Sequence, residues 1–126
     1  MGLDTSHDCW HGAYSAFMRW RQAVAKAAGI GNLNLMEGFY GGEGGGISWA
    51  LLGDDPLVKL LHHSDCEGSL DAVDCGPIAD RLESLLPALD AMGDGGGHVG
   101  GYGDKTRTFI AGLRLAASRG EDVEFH

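Results

Sequence analysis

The run Tyr102-Gly103-Asp104-Lys105-Thr106-Arg107-Thr108-Phe109-Ile110-Ala111-Gly112-Leu113-Arg114-Leu115-Ala116-Ala117-Ser118-Arg119 carries Thr106, Phe109, Ile110, Leu113, Ala116 and Ala117 at mostly three- and four-residue steps. That spacing gathers them on one face of a helix. A helix over 102–119 follows, ended by Gly120, which accepts the left-handed conformation that often closes a helix. Working back, Ile78, Leu82, Leu85, Leu86 and Leu89 form a second stripe, with Asp80, Arg81, Glu83 and Ser84 outside it. The start signals around Asp71–Gly76 put Pro77 in the first turn and predict a helix over 77–90, which Pro87 should kink or end.

The same reading extends to the other end of the chain. Asp4-Thr5-Ser6 offers side-chain oxygens as helix caps, and Trp10, Ala13, Tyr14, Phe17, Val24, Ala25 and Ala28 then recur at helical spacing. This predicts a helix over 8–28, capped by Gly29, with His7 and His11 one turn apart and facing the same way. A short helix over 56–62 follows the break Gly53-Asp54-Asp55-Pro56. Two glycine-rich stretches, 41–46 and 93–97, read as mobile connectors. The first lacks the lysine of a phosphate-binding loop, since Gly46 leads straight into Ile47-Ser48-Trp49. Val123-Glu124-Phe125-His126 alternates like a short strand or an extended tail on the helices. The fold class is therefore mainly α: a compact single-domain bundle of three long helices and one short one over residues 1–126. Phe17, Val24, Leu82, Leu86, Phe109 and Leu113 are expected in one core.

Composition bounds the function. A chain of 126 residues buries a core without staples, and three cysteines with no paired spacing do not form a disulfide framework. With no signal peptide recognised, a reducing cytoplasm is expected, that of a host cell on the resemblance given below. No apolar run approaches the roughly 20 residues that cross a bilayer. A net charge of -9 disfavours duplex nucleic acid as a partner. Local basic patches, Arg19, Arg21 and Lys26 in one and Lys105, Arg107, Arg114 and Arg119 in the other, still suit one small anion.

Chemistry concentrates in two places. His62-His63-Ser64-Asp65-Cys66-Glu67-Gly68 packs imidazoles, carboxylates, a hydroxyl and a thiol together, and His7-Asp8-Cys9-Trp10-His11 is its companion. The expected ligand-binding residues are His7, Asp8, Trp10, His11, Tyr14, His62, His63, Ser64, Asp65 and Glu67. Both clusters are expected to meet in one pocket, with His7 and Asp65 within about 15 Å. His7 with His11, and His62 with Cys66, have the four-residue spacing that sets two zinc ligands on one helical face. Structural zinc sites usually pair cysteines closely, so zinc is not favoured and Cys9 and Cys75 read as small core residues. Cys66 beside His62 or His7 is a candidate nucleophile, although Asp65 and Glu67 would raise its pKa. The ordinary alternative is a helix-start network, with Ser64 and Glu67 at capping-box spacing.

Several segments resemble a family of small proteins encoded by bacteria and their phages: His63-Ser64-Asp65-Cys66-Glu67-Gly68, Ile78-Ala79-Asp80-Arg81-Leu82, Phe109 to Ala117 and Val123-Glu124-Phe125-His126. The likeness to phage members extends over Leu3 to Tyr14. It implies a phage or prophage accessory protein and carries over no site residue. The favoured function is sequestration of a small, nucleotide-like anion. Trp10, Tyr14, Trp20, Phe39, Tyr40 and Trp49 are candidates to stack a base, and Arg19, Arg21, Lys105 or Arg107 to meet phosphate. One alternative is a metal-dependent hydrolase built on His7, Asp8, His11, His62, His63 and Asp65. Another is an acidic surface that contacts a host protein.

Overall fold

The computed structural model describes residues 2–30, 55–61, 68–92 and 101–126. Both glycine-rich stretches and the segment from His62 to Glu67 lie outside them, as do Phe39, Tyr40 and Trp49. Helices dominate: α1 spans Tyr14–Ala27, α2 Leu57–Leu61, α3 Ala72–Ser84, α4 Leu86–Ala91 and α5 Tyr102–Arg119. Two short antiparallel pairs accompany them. Strand β1 (Gly2–Asp4) pairs with β2 (His11–Ala13), and β3 (Ser69–Leu70) pairs with β4 (Val123–Glu124).

Helix α5 has the bounds expected from its apolar stripe, and α2 lies within the expected 56–62. The other two long helices depart from expectation at their starts. Helix α1 begins at Tyr14 rather than Asp8 because the preceding residues form a hairpin. Thr5 caps no helix there. Its Oγ1 accepts the Trp10 N–H at 3.0 Å, and its own N–H donates to the Trp10 carbonyl at 3.0 Å, which closes the loop between β1 and β2. This local bonding competes with helix for a threonine. Between them Ser6–Asp8 make a single 3-10 turn in which His7 (φ 60) and Asp8 (φ 56) are left-handed, so no α-helix passes through them.

Helix α3 starts five residues before Pro77. Its Ala72 N–H is satisfied by Asp122 Oδ1 at 2.8 Å, a cap supplied from far along the chain. Pro77 consequently lies inside the helix. Pro87 does mark a break, since α3 ends at Ser84 and Pro87 sits in the first turn of α4. Gly29 and Gly120 both end their helices as expected, with φ of 79 and 64. At α1, Gly29 and Ile30 donate to the carbonyls of Lys26 and Ala25, and at α5 Gly120 and Glu121 donate to Ala117 and Ala116. These are complete Schellman closures. The second turns the chain back and delivers Glu121 beside the hairpin.

The expected core is present. Phe17, Val24, Leu82, Phe109 and Leu113 are fully buried, while Leu86 is only half-buried and packs against them. An aromatic cluster joins α1 to α5: Trp20 stacks on Phe109 with centroids 4.7 Å apart, and Phe17 meets Trp10 edge-on at 5.2 Å. Val123–His126 threads between the other short strands. Phe125 bridges Thr5 and donates its N–H to the Gly68 carbonyl at 2.8 Å, and the His126 N–H reaches the Asp4 carbonyl at 2.8 Å. The expected terminal strand is thus the link between the hairpin and β3.

Candidate functional site

The hairpin loop Thr5–Trp10 sits against α5, and that approach requires a glycine. A Cβ at Gly112 would collide with Cys9 Sγ and lie 2.7 Å from the His7 carbonyl oxygen. Held there, the loop divides two clefts. The first, about 250 Å³, is lined by Asp8, Cys9, Trp10, His11, Asp104, Lys105 and Thr108. The second, about 620 Å³, is bordered by Ser6, His7 and Asp8 from the loop, Leu115 and Arg119 from α5, and Glu121, Asp122 and Glu124 from the tail.

In the first cleft, Lys105 Nζ stands 5.2 Å from the Trp10 ring centroid. Among the described residues it has no carboxylate partner. Arg107 is different, held by Asp90 at 2.6 Å and Asp104 at 3.2 Å. Arg21, named above as a phosphate candidate, is buried, with its guanidinium over Phe17 and a hydrogen bond to the Leu61 carbonyl. Trp10 is 4% exposed, and its buried indole N–H has no acceptor among the described residues.

His11 faces Asp4 across the β1–β2 pair. Its Nδ1 lies 2.8 Å from Asp4 Oδ1 and its Nε2 3.1 Å from Asp8 Oδ1. Carboxylates only accept, so both contacts are complete when the ring is doubly protonated. Hydrogen bonding to Asp4, then to Asp8, accordingly raises the His11 pKa above its ordinary value. A raised imidazole pKa stabilises the fold fully below the unfolded value near 6.5, and that contribution disappears as pH rises through the folded pKa. The ring is 54% exposed, so screening holds the effect to less than about 1 kcal/mol. Melting temperature should therefore fall more steeply from pH 6 to 8 in the native chain than in His11→Ala, and Asp4→Asn should flatten the difference. Parallel curves would refute the coupling.

His7 is a separate unit. Its Nε2 is 2.9 Å from Glu121 Oε1 and its Nδ1 is 2.8 Å from Ser6 Oγ. Ser6 Oγ also accepts the Glu124 N–H at 2.8 Å. His7 and His11 therefore share neither a helix nor a ligand, contrary to the helical face expected of them. Among the described residues no group of three or more His, Cys, Asp and Glu side chains is arranged to hold a metal. His62, His63, Ser64, Asp65, Cys66 and Glu67 lie outside those residues, and so does the His7–Asp65 separation. Gly68, which follows them, is bonded to Phe125, itself bridged to Thr5.

The chain matches no family model, no curated protein and no solved structure. The remaining assignments are plain. Burial is the main cause that pushes the Cys9 thiol up to about 12 and the Cys75 thiol up to about 11, so both are inert core thiols. Tyr14 opens α1, partly buried against the core, and borders neither cleft. Trp20 is fully buried with its face on Phe109, which leaves no face for a base. Among the described residues no helix is long and apolar enough to cross a membrane. Asp4, Ser6, Thr108, Glu121, Asp122 and Glu124 are site residues that sequence reasoning did not single out. Their roles depend on the hairpin pairing and on its meeting α5 and the tail, which no local pattern encodes.

Proposed function

We propose that this chain binds a small anionic ligand in the cleft between the hairpin loop and the start of α5. The observation that carries the reading is Lys105, an ammonium set over the Trp10 ring and unpaired among the described residues. A cation over an indole keeps its charge and its outward donors for a partner. Thr108 and His11 border the same space, with the His11 ring held by Asp4 and Asp8. The size of the cleft suits one phosphate or carboxylate group with a small attached moiety. Of a nucleotide-like ligand, it favours the phosphate end, since the described tryptophans are committed to the core. Asp8 and Asp104 on the rim disfavour a large polyanion and can accept from ligand hydroxyls or amines. Together with the phage-type sequence resemblance, this supports an accessory protein that sequesters a host metabolite.

The test is calorimetric titration and thermal shift with inorganic phosphate, simple carboxylates and nucleoside monophosphates. One of these anions should bind, more weakly as salt rises. Lys105→Ala should weaken it roughly 10- to 100-fold, as expected for loss of a charge-assisted hydrogen bond of about 1.5–3 kcal/mol. The variant's unliganded melting temperature should barely move. Absence of binding by every anion, or equal binding by the variant, would overturn the reading.

A further inference from the structure

The second cleft holds a different constellation. Glu121 can only accept, so in the neutral imidazole the His7 proton sits on Nε2 and the bare Nδ1 accepts the Ser6 hydroxyl proton. A carboxylate orients a histidine whose free nitrogen points at a serine hydroxyl: these are the roles of a nucleophile, a general base and an orienting acid. The adjoining Glu124 N–H donates to Ser6 Oγ and so helps hold the hydroxyl with its own proton toward His7 Nδ1. The His7 ring is only 10% exposed, and its backbone is held left-handed together with that of Asp8. Strained, over-determined backbone of this kind clusters at active sites. The cleft itself opens beside all three groups and includes Arg119, which has no ion pair among the described residues.

We propose that Ser6, His7 and Glu121 form an acyl-transfer site that hydrolyses small esters, independent of the anion cleft. Ser6 Oγ attacks the acyl carbon as its proton passes to His7 Nδ1. The bond to the leaving alcohol breaks, and that alcohol takes the proton from His7. Water then attacks acyl-Ser6, giving its proton to His7, and the bond to Oγ breaks as His7 returns that proton to Oγ, which releases the acid and restores the serine. Arg119 is the cation available to the oxyanion. Glu121 is a positioning residue. Glu121, Asp122, Glu124 and Asp8 surround the opening, so neutral or cationic esters are favoured over anionic ones, and Leu115 offers the apolar contact.

The experiment uses the full chain with p-nitrophenyl acetate, following nitrophenolate release and mapping acetyl groups by peptide mass after acid quench. Acetyl is expected on Ser6, lost in Ser6→Ala, and formed at least about a hundredfold more slowly in His7→Ala. Glu121→Gln keeps the size and an acceptor for His7 but removes the negative charge that favours the imidazolium, so it serves if Ser6→Ala fails to fold. It should lower kcat by about a hundredfold with KM unchanged, a split that a purely structural contact would not produce. The hemisuccinate ester should acylate Ser6 more slowly than the acetate at low salt, with the gap closing as salt is added. Acetylation confined to lysines or cysteines, or Ser6 acetylation unchanged by His7→Ala and Glu121→Gln, would overturn the proposal. Equal rates with the two esters would overturn its charge preference.

Discussion

Trp20→Ala is expected to lower the unfolding free energy by about 3–5 kcal/mol, the range for deleting a large buried aromatic side chain. Trp20 is fully buried, stacks on Phe109 at 4.7 Å and lies 5.8 Å from Phe17 and 5.6 Å from Trp10. Its removal opens a cavity where the hairpin, α1 and α5 meet. The indole N–H donates to Thr106 Oγ1 at 2.9 Å, and that hydroxyl donates to the Tyr102 carbonyl at 2.7 Å. Thr106→Val would strand the indole proton, at a cost of about 1–3 kcal/mol. Paired with Trp20→Phe, the same change should cost less than the sum of the two single substitutions, because no donor is left unpaired. Urea unfolding of the four proteins measures this directly. Strict additivity would show that the hydrogen bond carries no weight.

The helices were legible because their signals are local. The stripe from Thr106 to Ala117 and the glycines at positions 29 and 120 depend only on neighbours in sequence, and α5 came out with the expected bounds. The hairpin was not legible for the opposite reason. Trp10, Ala13, Tyr14 and Phe17 have helical spacing, yet Thr5 is bonded to Trp10 and bridged to Phe125, over a hundred residues away. The start of α3 was misplaced by the same kind of cause, since its cap is Asp122. Chemical density did single out His7, Asp8, Trp10 and His11, all of which border the clefts. Which partner each histidine takes was not readable: Glu121 reaches His7 only because the closure after α5 turns it back to the hairpin. Arg21 shows the reverse failure. Its position beside Trp20 looked basic and available, whereas the fold buries it over Phe17.

Gly112→Ala is the substitution expected to affect fold and site together. In an open helix, replacing glycine by alanine gains up to about 1 kcal/mol, because the chain loses less entropy on folding. At Gly112 the added Cβ would meet Cys9 Sγ, lie 2.7 Å from the His7 carbonyl oxygen and 3.0 Å from Cys9 Cα. Two of these atoms are backbone of a loop pinned by Thr5, Trp10 and Glu124, so the loop cannot yield by a rotamer change. It must lift from α5. A net loss of roughly 2–3 kcal/mol follows, or a melting temperature lower by roughly 10 °C for a chain of this size. Lifting the loop also separates His7 from Glu121 and Trp10 from Lys105, so both clefts should fail together. Gly76 provides the internal control: it lies inside α3, and beyond its own chain neighbours and helix backbone an added Cβ would meet nothing within 4 Å. Gly76→Ala should cost clearly less than Gly112→Ala, because a helix-propensity gain of up to about 1 kcal/mol is set against the crowding of the new Cβ by the Pro77 ring. If the two alanine variants melted alike, close approach of the hairpin to α5 would be wrong, and with it the geometry of both sites.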